Sequence, residues 1–323
     1  MKPSPLLSIC IPTYNRELKL RRSLTAWRNA INYYGQDDVE LIVSDNCSTD
    51  NTPIILQEFE CIPNFRHYRN EENIGFNKNM FLLVEKYAKG VFCWVIGDDD
   101  YVDKNCLSII KNLLHDDIDY ISLNFRKFLS QKAYENAELS NNGMIIKEKI
   151  PFGESIDMNS SLDNILATLM STSVFRRHPF INCCKSGISD DSAFNYMSTF
   201  PNSYLMLTLF HTSKTNCVNS PLFSIVEEKK EWNNMSDLYF KKHLFQLYDY
   251  YCSILGKNQM ENSKNGKWMR KLNAKYIVRD QLLKGVVNLK TIKALFLLLM
   301  TPQLYLNAIK SSCGRKIFHS FYF

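Results

Sequence analysis

The sequence predicts an α/β fold in which helices flank a mostly parallel sheet, followed by a helical C-terminal segment. Over roughly the first 125 residues, short continuous apolar runs alternate with segments whose apolar residues recur at helical spacing. This alternation is typical of parallel strands that are buried on both faces by helices. From residue 237 onward, longer segments mix apolar and basic residues in a helical pattern, which predicts a separate helical part.

Each predicted strand is a short apolar run that stops at polar residues or proline. The predicted strands are Leu6–Ile11, Val39–Val43, Phe65–Tyr68, Val91–Ile96 and Ile118–Leu123. The predicted helices have apolar residues three or four positions apart. They span Glu17–Ile31, Pro53–Phe59, Phe76–Tyr87 and Leu107–Leu114. Residues 126–165 have weaker patterning and more Asn, Ser and Lys, which predicts loops or an irregular excursion.

The charge is divided unevenly along the 323 residues. The net charge is +6, yet residues 240–323 hold 15 Lys and Arg against three acidic residues, a balance of +12. The preceding residues therefore carry −6, so an acidic body is followed by a basic tail. The 45% hydrophobic and 22% charged composition excludes a disordered or collagen-like chain.

The cysteines and the apolar runs indicate the compartment. The ten cysteines include no Cys-x-x-Cys pair and no secretory signal opens the chain, which favours a reducing, cytoplasmic location. The longest apolar run in the tail, Ala294–Met300, has seven residues, far fewer than the ~18 of a membrane-spanning helix.

Polar clusters follow three of the predicted strands. They are Pro12-Thr13-Tyr14-Asn15-Arg16, Ser44-Asp45-Asn46-Cys47-Ser48-Thr49-Asp50 and Gly97-Asp98-Asp99-Asp100. In open α/β sheets, ligands bind outside the carboxyl ends of the strands. We therefore expect the three clusters to form one pocket.

The three consecutive carboxylates of Asp98, Asp99 and Asp100 are the sharpest chemical signal. Without a counter-charge, adjacent carboxylates raise one another's pKa and destabilise the fold. Oxygen-only ligands select Mg²⁺ or Mn²⁺, which commonly join one or two carboxylates to substrate phosphates. The alternative is an acidic cap before the helix at Leu107, where carboxylates interact favourably with the helix dipole. Turn and cap chemistry is likewise the alternative for Asp45 and its neighbours.

Four motifs occur in order at strand ends, and together they are more specific than any one alone. They are Pro12-Thr13-Tyr14-Asn15, Ser44-Asp45-Asn46-x-Ser48-x-Asp50-x-Thr52, Asn73-x-Gly75-x-x-x-Asn79 and Gly97-Asp98-Asp99-Asp100. This series resembles the N-terminal half of family 2 glycosyltransferases of the GT-A fold, over residues 6–125. The segment around Asp98 also resembles transferases that build bacterial surface polysaccharides.

The resemblance implies roles for the motif residues. Pro12, Thr13, Tyr14, Asn15 and Asp45 would hold the nucleotide, with the Asp45 carboxylate accepting a base N–H. Gly75 and Asn79 would lie beside the base and ribose, and Lys78 either faces a phosphate or belongs to a solvated first turn.

The family's metal motif is Asp-x-Asp-Asp with a Leu seven residues later. Leu107 fixes this register, which puts Gly97 at the first Asp of the motif. The resemblance then implies Asp99 as the metal ligand, assisted by Asp98 and Asp100. The missing first carboxylate leaves open how Asp98 and Asp99 divide the ribose and metal contacts.

The acceptor side would lie in residues 126–236. By register, Asp191 matches the family's catalytic base and Asp190 the acid before it, although an acidic helix cap is the alternative. Arg176 or Arg177 could touch phosphate. His211 could be an extra metal ligand, but a single His near aromatic residues is more often structural.

The basic tail mixes cations with Trp268 and Tyr276 at near-helical spacing, a pattern that favours an anionic membrane surface as a partner. The alternative is an ordinary helical subdomain with a solvated basic face. No nucleic-acid-binding motif is present, so we expect no nucleic-acid partner.

These features predict a metal-dependent glycosyltransferase, peripheral on the inner face of the cell membrane. It would move one sugar from a nucleotide-diphosphate sugar to a lipid-linked saccharide acceptor in O-antigen or capsule synthesis, with inversion. Its segments would be a nucleotide-sugar-binding half (1–125), an acceptor half (126–236) and a basic helical segment (237–323). The alternatives are a nucleotidyltransferase and an inactive nucleotide- or carbohydrate-binding protein.

Overall fold

The computed structural model describes residues 4–137, 146–151, 170–183, 201–226 and 237–262, and a few later positions (267, 270, 274, 288, 289 and 291–293). The chain divides into two compact units. The first comprises Met1–Asn234 with Ser253–Leu255, and the second Met235–Cys252 with Gly256–Phe323. The proposed three-segment division by function stays a prediction.

The strands of the first unit are short and most of the central ones are fully buried. They are β1 (Leu7–Thr13), β2 (Val39–Asp45), β3 (Phe65–Arg69), β4 (Phe92–Val95), β5 (Asp100–Val102), β6 (Tyr120–Phe128), β7 (Ile146–Pro151), β8 (Ser173–Arg176) and β9 (Lys214–Val226). Within residues 4–262, the described helices are α1 (Glu17–Tyr34), α2 (Thr52–Glu58), α3 (Phe76–Leu82), α4 (Cys106–Lys111), α5 (Gln131–Glu135), α6 (Arg177–Cys183), α7 (Pro201–Phe210), α8 (Asp237–Leu255) and α9 (Lys257–Asn262). A π-helical turn, Leu83–Tyr87, extends α3.

The sheet confirms the predicted α/β fold. Its strand order is β3-β2-β1-β4-β8-β6-β9-β5, and β7 pairs with β9. The strands β3, β2, β1 and β4 are parallel, so their C-terminal ends meet at one edge, which we call the carboxyl edge. Beyond β4 the sheet is mixed, because β8 runs antiparallel to both β4 and β6.

The core forms where α1 packs on the sheet. The helix buries Leu20, Leu24, Trp27 and Ile31, which lie on one face at the predicted spacing. The Trp27 ring meets Trp94 of β4 edge-to-face, with centroids 5.3 Å apart. The start of α1 is held at the carboxyl edge by the backbone N–H groups of Arg16 and Glu17, which donate to Thr52 Oγ1 and Asp50 Oδ2.

One prediction about local structure is wrong. The described parts of residues 126–165 are not simply irregular, because β6 continues to Phe128 and both α5 and β7 follow. Asp100, the last residue of the acidic cluster, begins β5, which the sequence did not predict, and pairs with Ile225. Both β5 and β7 owe their formation to pairing with β9, a distant segment that a local pattern cannot reveal. Within the described residues, no helix combines the length and apolar character needed to cross a bilayer.

Candidate functional site

The carboxyl edge brings the first two polar motifs together. Pro12 and Thr13 end β1 and pair with Ser44 and Asp45 at the end of β2. Next to them, Asn15 adopts a left-handed backbone conformation (φ 52°), which Asn tolerates better than most residues.

Hydrogen bonds tie the β1–α1 turn to the β2–α2 loop. The Asn15 backbone N–H donates to Ser48 Oγ at 2.8 Å, and Thr49 N–H donates to Asn15 Oδ1 at 2.7 Å. The Tyr14 side chain points outward and is 40% exposed, so its ring is available to a ligand.

Asp45 is a fully buried carboxylate with a fixed environment. Its Oδ1 accepts the Ser48 backbone N–H at 2.9 Å, and its Oδ2 accepts from Arg69 Nη1 at 2.9 Å. The second arm of Arg69 donates to the Ser48 carbonyl at 2.8 Å. Because the carboxylate has no exposed surface and a partner at each oxygen, the predicted contact with a base would require Arg69 or the Ser48 loop to move. Sequence reasoning missed Arg69, although it ends β3 and the strand-end rule could have found it.

A network of buried amides holds Asn79 behind the pocket. The Asn79 Oδ1 accepts from Ser44 Oγ at 2.6 Å and from Asn70 Nδ2 at 2.9 Å, while its Nδ2 donates to the Ser44 carbonyl. Asn70 Nδ2 also donates to Asn46 Oδ1 at 2.9 Å. Asn79 therefore joins the ends of β2 and β3 to α3.

Gly75 lies where the chain enters α3. Its φ of 83° favours glycine, and its backbone N–H donates to Asn73 Oδ1 at 3.0 Å. Asn46 Nδ2 donates to the same Asn73 oxygen at 2.7 Å. The loop from Asn73 to Gly75 thus reaches the carboxyl edge, as the sequence predicts.

Two of the three consecutive carboxylates are buried and held by hydroxyl groups. Asp98 accepts from Thr13 Oγ1 at 2.6 Å, which links it to the end of β1. Asp100 accepts a hydrogen bond from Ser171 Oγ and another from the Gly97 backbone N–H. Ser171 was not predicted; it precedes β8 in sequence, and no local pattern connects it with the acids.

The environment of this cluster disfavours the ionised carboxylates of Asp98 and Asp100. Burial, and then the negative charge of Asp99, raise the pKa of Asp98 to about 7. The same two causes, in the same order, raise the pKa of Asp100 to about 7. A cation bound beside these carboxylates would favour their ionised forms.

Asp99 is the most exposed of the three carboxylates. Its side chain is 41% exposed, and its Oδ2 lies 3.7 Å from the Nζ of Lys19, in the first turn of α1. Of the three acids, Asp99 can therefore present an oxygen to a ligand outside the sheet with the least rearrangement.

Gly97 lies close to the two carboxylates that follow it. A Cβ added there would lie 3.0 Å from Asp100 Oδ2 and 3.1 Å from Asp99 Oδ1. These distances are tighter than ordinary van der Waals contacts, and Asp100 is already fixed by Ser171. A side chain at position 97 would therefore require the Asp99 and Asp100 carboxylates to shift by a few tenths of an ångström.

The donor chemistry fits Mg²⁺ or Mn²⁺, because every side-chain donor in the cluster is an oxygen. No group of three or more His, Cys, Asp or Glu side chains converges on a metal position anywhere in the described parts of the chain. An ion held by Asp99 would therefore need further oxygens from substrate phosphates and water, as Mg²⁺ commonly takes them.

The structure corrects the prediction that Arg176 or Arg177 contacts phosphate. Arg176 pairs with Phe92, the first residue of β4, and so lies at the edge opposite the carboxyl edge. Both guanidinium groups donate to backbone carbonyls, Arg176 to that of Ile118 and Arg177 to that of Val84, each at 2.8 Å.

His211 is not a metal ligand of this cluster. Its Nδ1 lies 3.1 Å from the Leu207 carbonyl in α7. It precedes Thr215, which pairs with Tyr120 at the start of β6, away from the carboxyl edge. Asp190 and Asp191 lie outside the described residues.

The site lies within the part of the chain that matches a known protein family. The family model described as Glycosyl transferase family 2 matches residues 8–183, more than half of the chain. The matched range contains the carboxyl edge with all four motifs.

Curated relatives match over shorter segments. The chain is 36% identical over 116 residues to the abequosyltransferase RfbV of Salmonella typhimurium, covering 35% of this chain and 34% of that protein. It is 31% identical over 112 residues to the GalNAc(5)-diNAcBac-PP-undecaprenol beta-1,3-glucosyltransferase of Campylobacter jejuni, covering 33% of each. The match thus spans about a third of the length of these relatives.

Two solved structures share the fold. One is Staphylococcus aureus TarS 1-349 in complex with UDP-GlcNAc, with a TM-score of 0.53 and 15% identity, covering 85% of this chain and 72% of that one. The other is the mannosyltransferase PcManGT of Pyrobaculum calidifontis with GDP-Man and Mn²⁺, with a TM-score of 0.56 and 14% identity, covering 99% and 84%. At these identities the likeness concerns the fold alone.

Proposed function

Because the chain belongs to glycosyl transferase family 2 and has the GT-A fold, we propose that it transfers one sugar from a nucleotide-diphosphate sugar to a saccharide acceptor in surface-polysaccharide synthesis. The observation that carries the proposal is the convergence of four polar strand-end motifs at the carboxyl edge. Relatives that are named as abequosyl- and glucosyltransferases support the assignment to polysaccharide synthesis.

In this proposal the nucleotide lies between Tyr14 and the Asn73–Gly75 loop, with Asp45 and Arg69 behind it. The exposed Tyr14 ring offers a surface to the base. The ion pair of buried Asp45 with half-exposed Arg69 joins the end of β2 to the end of β3 behind this position.

The divalent cation would be held by Asp99, with Asp98 and Asp100 supplying negative charge behind it. When bound, such an ion acts as a Lewis acid that stabilises the departing diphosphate. The protein would position Asp99 through its two neighbours in sequence. Asp98 is held by its hydrogen bond from Thr13, and Asp100 by its hydrogen bond from Ser171.

The acceptor hydroxyl would lose its proton to Asp191, with Asp190 beside it, in an inverting transfer. A positioned base of this kind contributes about 10²–10⁴-fold to the rate. We expect Asp191→Asn to slow transfer by about that factor without weakening nucleotide binding. An unchanged transfer rate in that variant would assign the base to another residue.

The acceptor would be lipid-linked, and the basic tail would hold the protein at the cytoplasmic face of the membrane. The +12 balance of residues 240–323 suits an anionic surface. The undecaprenol in the name of the Campylobacter relative is in keeping with such an acceptor.

The experiment is a thermal-stability screen of the intact protein against UDP-, GDP-, CDP- and dTDP-sugars, with Mn²⁺ or with EDTA. We expect at least one nucleotide sugar to raise the Tm, and more strongly with Mn²⁺. Asp99→Asn should lose the Mn²⁺-dependent part. Asp116→Asn, which removes the same charge from an exposed loop residue, should keep it. No response to any nucleotide sugar in the wild-type protein would contradict the proposal.

A further inference from the structure

Lys19 occupies a position that its own helix disfavours. It lies in the first turn of α1, where the positive end of the helix dipole opposes a cation. Its side chain is nevertheless only 22% exposed, and its Nζ lies 3.7 Å from Asp99 Oδ2. The negative charge of Asp98, Asp99 and Asp100 offsets the unfavourable dipole. The main electrostatic attraction on the Lys19 ammonium group therefore comes from these acids.

The ammonium group shares Asp99 with the proposed cation. Two unit positive charges about 4 Å apart change a binding constant by about fivefold in water, and the effect is larger for a divalent ion or where solvent is partly excluded. A divalent ion that arrives alone at Asp99 therefore meets repulsion from Lys19. The diphosphate of a nucleotide brings negative charge to the same place. Lys19 then attracts the ion–diphosphate complex, whereas it repels the ion alone.

We infer that Lys19 is a positioning residue that makes binding of the divalent cation and of the nucleoside diphosphate depend on each other. It opposes the cation bound alone and stabilises the cation bound together with diphosphate. The flexible four-carbon side chain lets the ammonium turn from Asp99 toward phosphate oxygens. Linkage requires the coupling to be reciprocal, so each ligand strengthens binding of the other by the same factor. The inference rests on the proposed function.

The test compares full-length wild-type protein with Lys19→Met. Binding of Mn²⁺ alone is measured by electron paramagnetic resonance of the free ion. Binding of UDP, GDP, CDP and dTDP in saturating Mn²⁺ is measured by calorimetry. We expect Lys19→Met to bind Mn²⁺ alone at least about fivefold more tightly and the nucleotide at least about fivefold more weakly, the effect of one unit charge a few ångströms away in water.

Two further variants serve as controls. Lys19→Arg keeps the charge and should restore both affinities toward wild type. Arg22→Met removes one positive charge from an exposed position of the same helix and should shift neither affinity. If the Met variant is unstable, Lys19→Gln gives the same comparison.

The outcomes separate this inference from the proposed function. If wild-type protein binds nucleotide with Mn²⁺ but the Lys19 variant lacks either shift, the coupling role is wrong and the proposed function stands. If wild-type protein binds none of the four nucleotides with Mn²⁺, the proposed function fails and the inference fails with it.

Discussion

At the scale of single residues, the ion pair of buried Asp45 with half-exposed Arg69 is the feature on which the nucleotide side of the site depends. Asp45 is fully buried, and Arg69 supplies both its counter-charge and a hydrogen bond to the neighbouring loop. A buried carboxylate without a partner is costly, because it loses hydration and gains nothing in return.

We therefore expect Arg69→Met to lower the free energy of unfolding by about 1–3 kcal/mol, the cost of leaving a buried polar group unsatisfied. The lower part of that range is favoured, since Arg69 itself is half exposed and water can partly replace it. Urea unfolding provides the measurement. Arg21→Met, which breaks the exposed pair with Glu58, is the matched control and should change the stability much less. Equal losses in both variants would show that the Asp45 pair has no special role.

The residues that sequence reasoning identified are those that follow a strand in the chain. Thr13, Asp45 and Asp99 could be predicted because parallel strands bring their carboxyl ends to one edge. Ser171 and Lys19 could not, since their contacts with the acids depend on the packing of β8 and α1 rather than on a local motif. Arg176 was assigned wrongly because its strand runs in the opposite direction and carries it to the other edge.

At the scale of elements, the strands that were predicted well are those buried on both faces. β1 and β2 read as continuous apolar runs because helices cover both sides of the sheet. In the structure, β1 extends to Thr13 and β2 to Asp45, whereas the sequence predicts that these strands end at Ile11 and Val43. β5 and β7 were missed because both depend on pairing with the distant β9, and β5 has only three residues.

The turn between the π-helical segment and β4 is packed too closely for any side chain at Gly90. A Cβ there would lie 2.6 Å from the Ser8 backbone nitrogen and 2.8 Å from the Phe92 carbonyl oxygen. Both atoms are backbone within the parallel sheet, so neither can move without distorting β1 or β4.

We expect Gly90→Ala to destabilise the protein by about 1–3 kcal/mol through overpacking. Gly35→Ala is the comparison, because Gly35 has a positive φ (65°) but no neighbour closer than 3.9 Å. It should cost about 1 kcal/mol from backbone strain alone. Thermal and urea unfolding of both variants measure the difference. A smaller loss for Gly90→Ala than for Gly35→Ala would contradict the packing argument.

At the scale of the whole molecule, the small net charge conceals two parts of opposite sign. The acids of the first part include the carboxylates that we propose hold a cation and a sugar nucleotide. The cations of the last part, from residue 240 onward, are those that we propose face an anionic membrane. The two functions can be tested separately because they use different residues.

For the membrane contact, we expect the triple variant Lys267→Gln, Lys271→Gln and Lys275→Gln to bind anionic vesicles about 100-fold more weakly, since each cation contributes about 1 kcal/mol. The measurement is cosedimentation with vesicles that contain phosphatidylserine. A control that replaces the exposed Lys89, Lys104 and Lys132 of the first unit by Gln removes the same charge. An equal loss in the control would indicate a general charge effect and contradict a role for the tail.

The most direct test of the proposed site is a crystal structure of the protein with Mn²⁺ and the nucleoside diphosphate that stabilises it. The anomalous signal of the ion locates it independently of the nucleotide. We predict one Mn²⁺ within about 2.5 Å of an Asp99 carboxylate oxygen, completed by diphosphate oxygens and water, with the base beside Tyr14. An ion or a diphosphate bound away from the carboxyl edge, with Asp99 uncoordinated, would contradict the proposed site.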